Sequence, residues 1–273
     1  MRLALRIADI AEEPLPTPAG ASLSGRENHA TGCYVTAHSD RTRLGFGLDY
    51  QYTRYTYDGV SSRNRDLHRV QFPLSIRREY GGGHAIVQIA PGVAVSSNAI
   101  KDPFERLDRD SVLTTGRIEW RKPLDESAAL QIGLAHDRRF GEPLLYPLIG
   151  LVLDRPSVRW RLVLPEPSVD IDIPGRWQLS ARVYPAGSTW HVFTDDFSDT
   201  FRYRVRAVRA EVALSRQLGN RTRLDVTLGR EMRRHHDFED SAAERIRTEP
   251  DDATVLAFSV RFGRNSIPFA HYP

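Results

Sequence analysis

Two short stretches carry the residue types from which a hydrolytic or metal site is made. In HVFTDDFSD, His191 shares one polar segment with Asp195 and Asp196. Such a set could activate a water between a carboxylate pair and an imidazole–carboxylate pair. No second half of that constellation is evident elsewhere in the chain, and HxxxDD in a polar segment needs structural context before it means catalysis. The second stretch is His235-His236-Asp237, followed by Glu239 and Asp240. Adjacent histidines in a strand point to opposite faces, so one strand cannot chelate with both; the run reads as a charged loop. No Ser-His-Asp elbow, glycine-rich phosphate loop or HExxH motif is present. Cys33 is the only cysteine, which leaves neither an internal disulfide nor a CxxC site. The sequence therefore predicts no catalytic residues, no metal site and no cofactor.

The larger concentration of chemistry is arginine. Of 38 basic residues only Lys101 and Lys122 are lysines, against 35 acids and a net charge of +3. Arginine makes bidentate contacts to carboxylate and phosphate. Nucleic-acid binding would gather this charge on one patch; here it is spread along the chain, and nucleic acid is not an expected partner. In FRYRVRA, Arg202, Arg204 and Arg206 oppose Phe201, Tyr203 and Val205. Arg159 and Arg161 flank Trp160, Arg117 and Glu119 flank Ile118, Asp170 and Asp172 alternate with Val169, Ile171 and Ile173, and Arg182 opposes Ala181 and Val183. These charged residues are the candidates for lining one shared interior. Three arginines on one face cannot be lipid-exposed without severe cost, so they look inward or stand above a membrane. Their acids either pair with them and fill the interior, or leave a net-positive lumen that favours small anionic solutes.

The element that must position such rows is a strand. RLGFGLDYQYTRYTY, Arg43 to Tyr57, sets Leu44, Phe46, Leu48, Tyr50 and Tyr52 against Arg43, Gly45, Gly47, Asp49, Gln51 and Thr53. Strict alternation is the mark of a strand with two unlike faces, and this one runs far beyond the usual five or six residues. Similar segments recur between Ala30 and Arg264. Pro73 and Pro91 interrupt two of them and predict bulges or a rim; a phase slip near Ala207-Val208 predicts another bulge. DFEDSAAERIR is the one short helical pattern. Connectors near 39–42, 81–83, 122–127, 154–157, 174–176 and 217–220 are short, whereas those near 11–29, 58–66, 99–109, 194–200 and 236–251 are long. The two classes alternate, except that 140–145 and 165–167 are short members of the long class, as expected of a membrane barrel with tight periplasmic turns and longer outer loops. The fold class read from this is all-β: a single transmembrane antiparallel β-barrel of about 12–14 strands, in meander order. Residues 1–29 supply an N-terminal strand or extension, 30–264 the barrel body and 265–273 a tail. Trp120, Trp177 and Phe262 fall near one end of the strands and Tyr50, Tyr52, Trp190 and Tyr203 near the other, as two interfacial girdles require. No run approaches the ~18 apolar residues of a spanning helix, and Arg6 and Asp9 break any export-signal core in MRLALRIADI.

The pattern resembles Gram-negative outer-membrane β-barrel proteins. The block YPLIGLVLDRPSVRWRLVLPEPSVDIDIPGRWQLSARVY further resembles an uncharacterised outer-membrane family, with a proline-bounded turn at Leu164-Pro165-Glu166-Pro167 and a strand opening around Trp177. AFSVRFG resembles the aromatic-ending final strand that barrel assembly recognises, though residues follow it here. The resemblance implies an outer-membrane location, with membrane lipid and lipopolysaccharide as surroundings, and a structural or porin-like role without enzymatic activity. Two alternatives stay open. One is a rim-active hydrolase around His191, whose His–Asp and Asp–Asp pairs resemble those of omptin-like proteases; the other is a soluble β-sandwich or lipocalin-like binder.

Overall fold

A computed structural model describes residues 1–16, 19–60, 65–101, 109–194, 199–239 and 245–263. Its strands are β1 (Arg2–Pro14), β2 (Ser22–Ser39), β3 (Thr42–Asp58), β4 (Arg65–Gln71), β5 (Leu74–Tyr80), β6 (Gly83–Ser96), β7 (Val112–Pro123), β8 (Ala128–Asp137) and β9 (Leu144–Asp154). There follow β10 (Val158–Leu164), β11 (Ser168–Ile173), β12 (Trp177–Pro185), β13 (Ser188–Thr194), β14 (Asp199–Leu218), β15 (Thr222–Glu239), β16 (Arg245–Thr248) and β17 (Ala253–Phe262). Three pairs of these are single interrupted strands. β4 and β5 both lie along β3, β12 and β13 both lie along β14, and β16 and β17 both lie along β15. β1 pairs antiparallel with β2 on one side and β17 on the other, which closes a 14-strand antiparallel barrel. Full closure leaves no edge for another chain to extend.

Local chemistry explains the short connections. The β5–β6 turn places Gly81 and Gly82 at φ +60° and +71°, where a side chain would be strained. In the β7–β8 turn, Asp125 accepts hydrogen bonds from the Ser127 backbone N–H at 2.6 Å and from its hydroxyl at 3.0 Å. Pro73 marks the break between β4 and β5, and its carbonyl accepts the Gly47 N–H at 2.9 Å.

The two faces of the wall change character with height. In β3, Phe46 and Leu48 are 52% and 46% exposed on the outside, while Asp49 and Thr53 are 2% and 1% exposed on the inside. Leu74, Ile118, Ile149, Leu162, Val212 and Leu228 continue the exposed apolar belt around the barrel. Towards the long-loop end the inside turns apolar instead. Leu23, Tyr55, Leu67, Trp190, Tyr203 and Val205 form one buried core there, with Tyr57 and Phe238.

That upper tier is narrower because β13 leaves the plain order of strands. β6 pairs with β7 only as far as Val93↔Val112; at Val95 its partner is His191 of β13, in a parallel bridge. Ser96 Oγ accepts the Phe193 N–H at 3.1 Å and secures the junction. β7 to β11 are thus left out at this height. Gly187, at the break between β12 and β13, donates its N–H to the Arg139 carbonyl at 2.7 Å, and a Cβ there would meet that oxygen at 2.7 Å.

Several expectations are corrected. Most of the long 11–29 connector is strand, since β1 reaches Pro14 and β2 begins at Ser22. The 236–251 loop is shorter, because β15 runs to Glu239 and β16 and β17 take Arg245–Thr248 and Ala253 onward. The same strands occupy both ends of the expected DFEDSAAERIR helix; residues 240–244 lie outside the described set. The irregularity near Ala207 is real, but the extra residue is on β15: Met232 and His235 face Val208 and Arg206, with Arg233 between them at φ +54°. On β14 the phase never slips, and Tyr203, Val205, Ala207, Arg209 and Glu211 all face inward.

Candidate functional site

Side chains of strands that are not neighbours can meet only across the inside of the barrel, so their contacts define the lumen. Arg6 of β1 reaches Glu211 of β14 at 2.5 Å, and Arg209 of β14 grips Glu27 of β2 through two hydrogen bonds of 2.8 Å. Glu211 also accepts from Arg182 at 2.7 Å and from the Tyr184 hydroxyl at 2.8 Å. Arg209 donates to Glu231 at 3.0 Å, and Arg234 joins Glu231 at 3.2 Å and the Asp251 carbonyl at 3.0 Å. These groups form a buried slab of alternating charge that spans the interior.

Above the slab sits the aromatic core. The Tyr203 hydroxyl lies 2.6 Å from His236 Nδ1 and 3.1 Å from the Tyr57 hydroxyl. Its ring packs against Phe238, Tyr55 and Trp190, with centroids 4.8, 5.9 and 6.1 Å away. Among the described residues, apolar packing and paired charge both lie across the long-loop end of the interior.

Below the slab, towards the short turns, the inner wall is polar. Arg117 contacts Glu119 at 3.4 Å, and Gln131 donates to the same carboxylate at 2.9 Å. Asp225 gathers Ser215 at 2.6 Å, Ser259 at 2.7 Å and Arg261 at 2.5 Å. Arg43 and Arg77 stand directly opposite each other on β3 and β5. Like charges so placed repel, and among the described residues neither forms a salt bridge.

The candidate lining residues divide. The structure puts Arg117, Glu119, Arg159, Arg161, Asp170, Asp172 and Arg182 on the inner face. Asp170 accepts from Ser180 at 2.6 Å, Asp172 accepts from Gln178 at 2.7 Å, Arg159 contacts Asp154, and Arg161 reaches the Glu166 carbonyl at 3.4 Å. Arg202, Arg204 and Arg206 are on the outer face, opposite the buried Tyr203 and Val205. There Arg202 meets Asp110 and Arg206 meets Asp237, each at 3.1 Å. The reason is the change of polarity with height: above the apolar belt, the dry side of the wall is the inside. Trp190 and Tyr203, expected at a lipid interface, are buried in the core for the same reason. Tyr50, Tyr52, Trp120, Trp177 and Phe262 share the outer face with the apolar belt.

The described residues of the two chemical stretches lie in strands. His191 is buried where β13 meets β6, and Asp195 and Asp196 lie outside the described residues. His236 and Asp237 are not in a solvated loop but fully buried in β15, where Asp237 binds Arg206 and Arg247 at 3.1 Å each. Among the described residues no group of three or more metal-ligating side chains converges. Of the slab, alternation marks Arg182 and Glu231 as inward-facing, but not Arg6, Glu27, Arg209 or Arg234. Glu211 was legible from its alternation with Val212, but its partner Arg6 is 205 residues away.

A closed, even-stranded antiparallel barrel, apolar outside and polar within, is the fold of Gram-negative outer-membrane β-barrel proteins. The chain superposes on an outer-membrane channel from Pseudomonas putida F1 with a TM-score of 0.52, covering 96% of this chain and 94% of that one at 8% identity. Lower scores are found for a KdgM porin, 0.41 at 7% identity over 95% and 98% of the two chains, and for the toluene transporter TodX of P. putida, 0.43 at 12% identity over 99% and 90%. No protein-family model matches the sequence, and no curated protein matches it. The barrel class therefore rests on the fold, and the narrower likeness of the middle block has no family match behind it.

Proposed function

We propose that this chain is an outer-membrane barrel of porin-like character whose lumen opens at the short-turn, periplasmic end and is stopped at the outer end. The observation that carries the reading is the cross-lumen slab, Arg6–Glu211 and Arg209–Glu27, lying under the aromatic core. The open part holds Arg43, Arg77, Arg117 and Arg161, and such a vestibule favours small anions. No catalytic role is assigned to any residue. Planar-bilayer recording under a salt gradient tests this: small conductance or silence is expected, with any current anion-selective. A large ohmic conductance would remove the stopper from the account, and a cation-selective reversal potential would remove the arginine vestibule.

The membrane placement follows from the outer belt, since so much contiguous apolar surface does not face water in soluble monomers. Tyr50 and Tyr52 at one height and Trp120, Trp177 and Phe262 at the other support two interfacial girdles. Arginine at Leu162 or Val212 should cost about 2–4 kcal/mol of barrel stability in lipid, the depth-dependent penalty for a charge facing the bilayer. Unfolding by denaturant in vesicles measures it. Full tolerance at both positions would favour a soluble barrel.

A further inference from the structure

The outer face carries a concavity that the lumen does not explain. An apolar trough of about 550 Å³ crosses β10 to β17 on the membrane side, and its lining includes Trp160, Leu162, Ala181, Ala210, Leu228 and Arg230. It lies where β12 approaches the break that sends β13 inward. The small side chains of Ala181 and Ala210 form its floor between the larger Trp160, Leu162 and Leu228. One cross-strand row at its edge reads Val183, Ala210, Arg230, Thr254, one step towards the long loops from the row Ala181, Val212, Leu228, Leu256.

Arg230 is the anomaly in this row. It is exposed, it follows Leu228 on the lipid-facing side of β15, and among the described residues it has no salt-bridge partner. Arginine facing lipid is expensive in mid-bilayer and nearly free at the interface, so it marks the upper edge of the belt. The exposed Arg233 lies just above it on the same strand. A groove that takes an acyl chain, with a guanidinium at headgroup height, matches the phosphate of a lipid.

We infer that the trough binds a phosphorylated, multiply acylated glycolipid of the outer leaflet, one acyl chain lying over Ala181 and Ala210 and one phosphate on Arg230. This rests on the outer-membrane reading, which puts the long-loop end in the leaflet where such lipids reside. The occupant is lipid A in chemical terms, and bisphosphorylated lipid A is the probe.

Native mass spectrometry of the detergent-folded barrel, titrated with lipid A, reads the retained lipid directly. One lipid A per wild-type barrel is expected, with retention about tenfold weaker in Arg230→Glu and in Ala210→Phe, which fills the trough. Phosphatidylcholine should not be retained. Heat-modifiable migration on gels verifies that each variant is folded. Equal retention by wild type and both folded variants overturns the site. Retention of phosphatidylglycerol or phosphatidylcholine as strong as that of lipid A overturns the assignment to lipid A. A chain that stays soluble and monomeric without detergent overturns the membrane reading itself, whereas a folded barrel indifferent to lipid A overturns only the inference.

Discussion

Alanine at Arg209 should destabilise the folded barrel by about 3–5 kcal/mol, the cost of breaking a buried ionic network by removing one partner. Arg209 is 3% exposed and is the cation between Glu27, Glu231 and the more distant Glu211. Its removal strips Glu27 of two 2.8 Å hydrogen bonds, while Glu231 keeps Arg234 and Glu211 keeps Arg6 and Arg182. The Glu27 carboxylate, left without its cation, takes up a proton or draws in solvent. The effect should depend little on ionic strength, since buried charges are poorly screened. Replacing the pair together, R209M with E27Q, should restore much of the loss, because Glu231 keeps Arg234 as its partner and an apolar filling is often as stable as a buried ion pair. Denaturant unfolding in vesicles gives both values. A loss below about 1 kcal/mol for Arg209→Ala, the range of solvent-exposed pairs, would mean that water reaches the slab and that it stops nothing.

Much of the barrel could be read from the chain because its signals are local. Alternation over Arg43 to Thr53 separates the faces correctly, and Gly81-Gly82 marks a tight turn by the backbone angles it permits. Alternation shows that a strand has two faces; it does not say which one is inside. In membrane the apolar row faces out, and above it the apolar row faces in. Phe46 and Tyr203 therefore belong to similar patterns and end on opposite sides of the wall. For FRYRVRA the sequence allows two placements of Arg202, Arg204 and Arg206, in the lumen or above the membrane; the stretch belongs to the upper tier, so the second holds and the lumen-lining and lipid-interface assignments of these arginines and of Tyr203 do not. A sign of the switch stands in β3, whose inward row passes from Asp49 and Thr53 to Tyr55 and Tyr57. The remaining misses are contacts between distant residues. Nothing near Val95 announces that β13 will pair with it, and nothing near Glu27 announces Arg209, 182 residues later.

Removing the Tyr203 side chain should loosen the aromatic layer at the outer end of the barrel and, once the charge layer beneath it is weakened as well, turn a near-silent protein into an anion-selective channel. Tyr203 is fully buried and touches every aromatic wall of the stopper: Tyr55, Tyr57, Trp190 and Phe238, along with His236. Large-to-small changes of aromatic core residues cost about 3–5 kcal/mol when the site does not collapse. Here the vacated space would be bordered by His236 Nδ1 and the Tyr57 hydroxyl, 3.4 Å apart, each of which loses its bond to Tyr203, so it is a polar cavity that water enters rather than a dry one. Coupling Tyr203→Ala with Glu211→Gln weakens the slab beneath, where Arg6 and Arg182 converge on that carboxylate. The double variant should conduct more than either single one, since the two layers stop the same path in series. Current admitted in this way passes Arg161, Arg117, Arg43 and Arg77, and its reversal potential should shift towards that of the anion. Folding of each variant is checked by heat-modifiable migration before recording, and Tyr57→Ala serves as a milder lesion of the same core if Tyr203→Ala does not fold. Folded variants that remain as silent as the wild type would place the barrier elsewhere in the lumen. Currents that appear but select cations would show that the carboxylates Glu119, Asp170 and Asp172, not the arginines, set the field along the path.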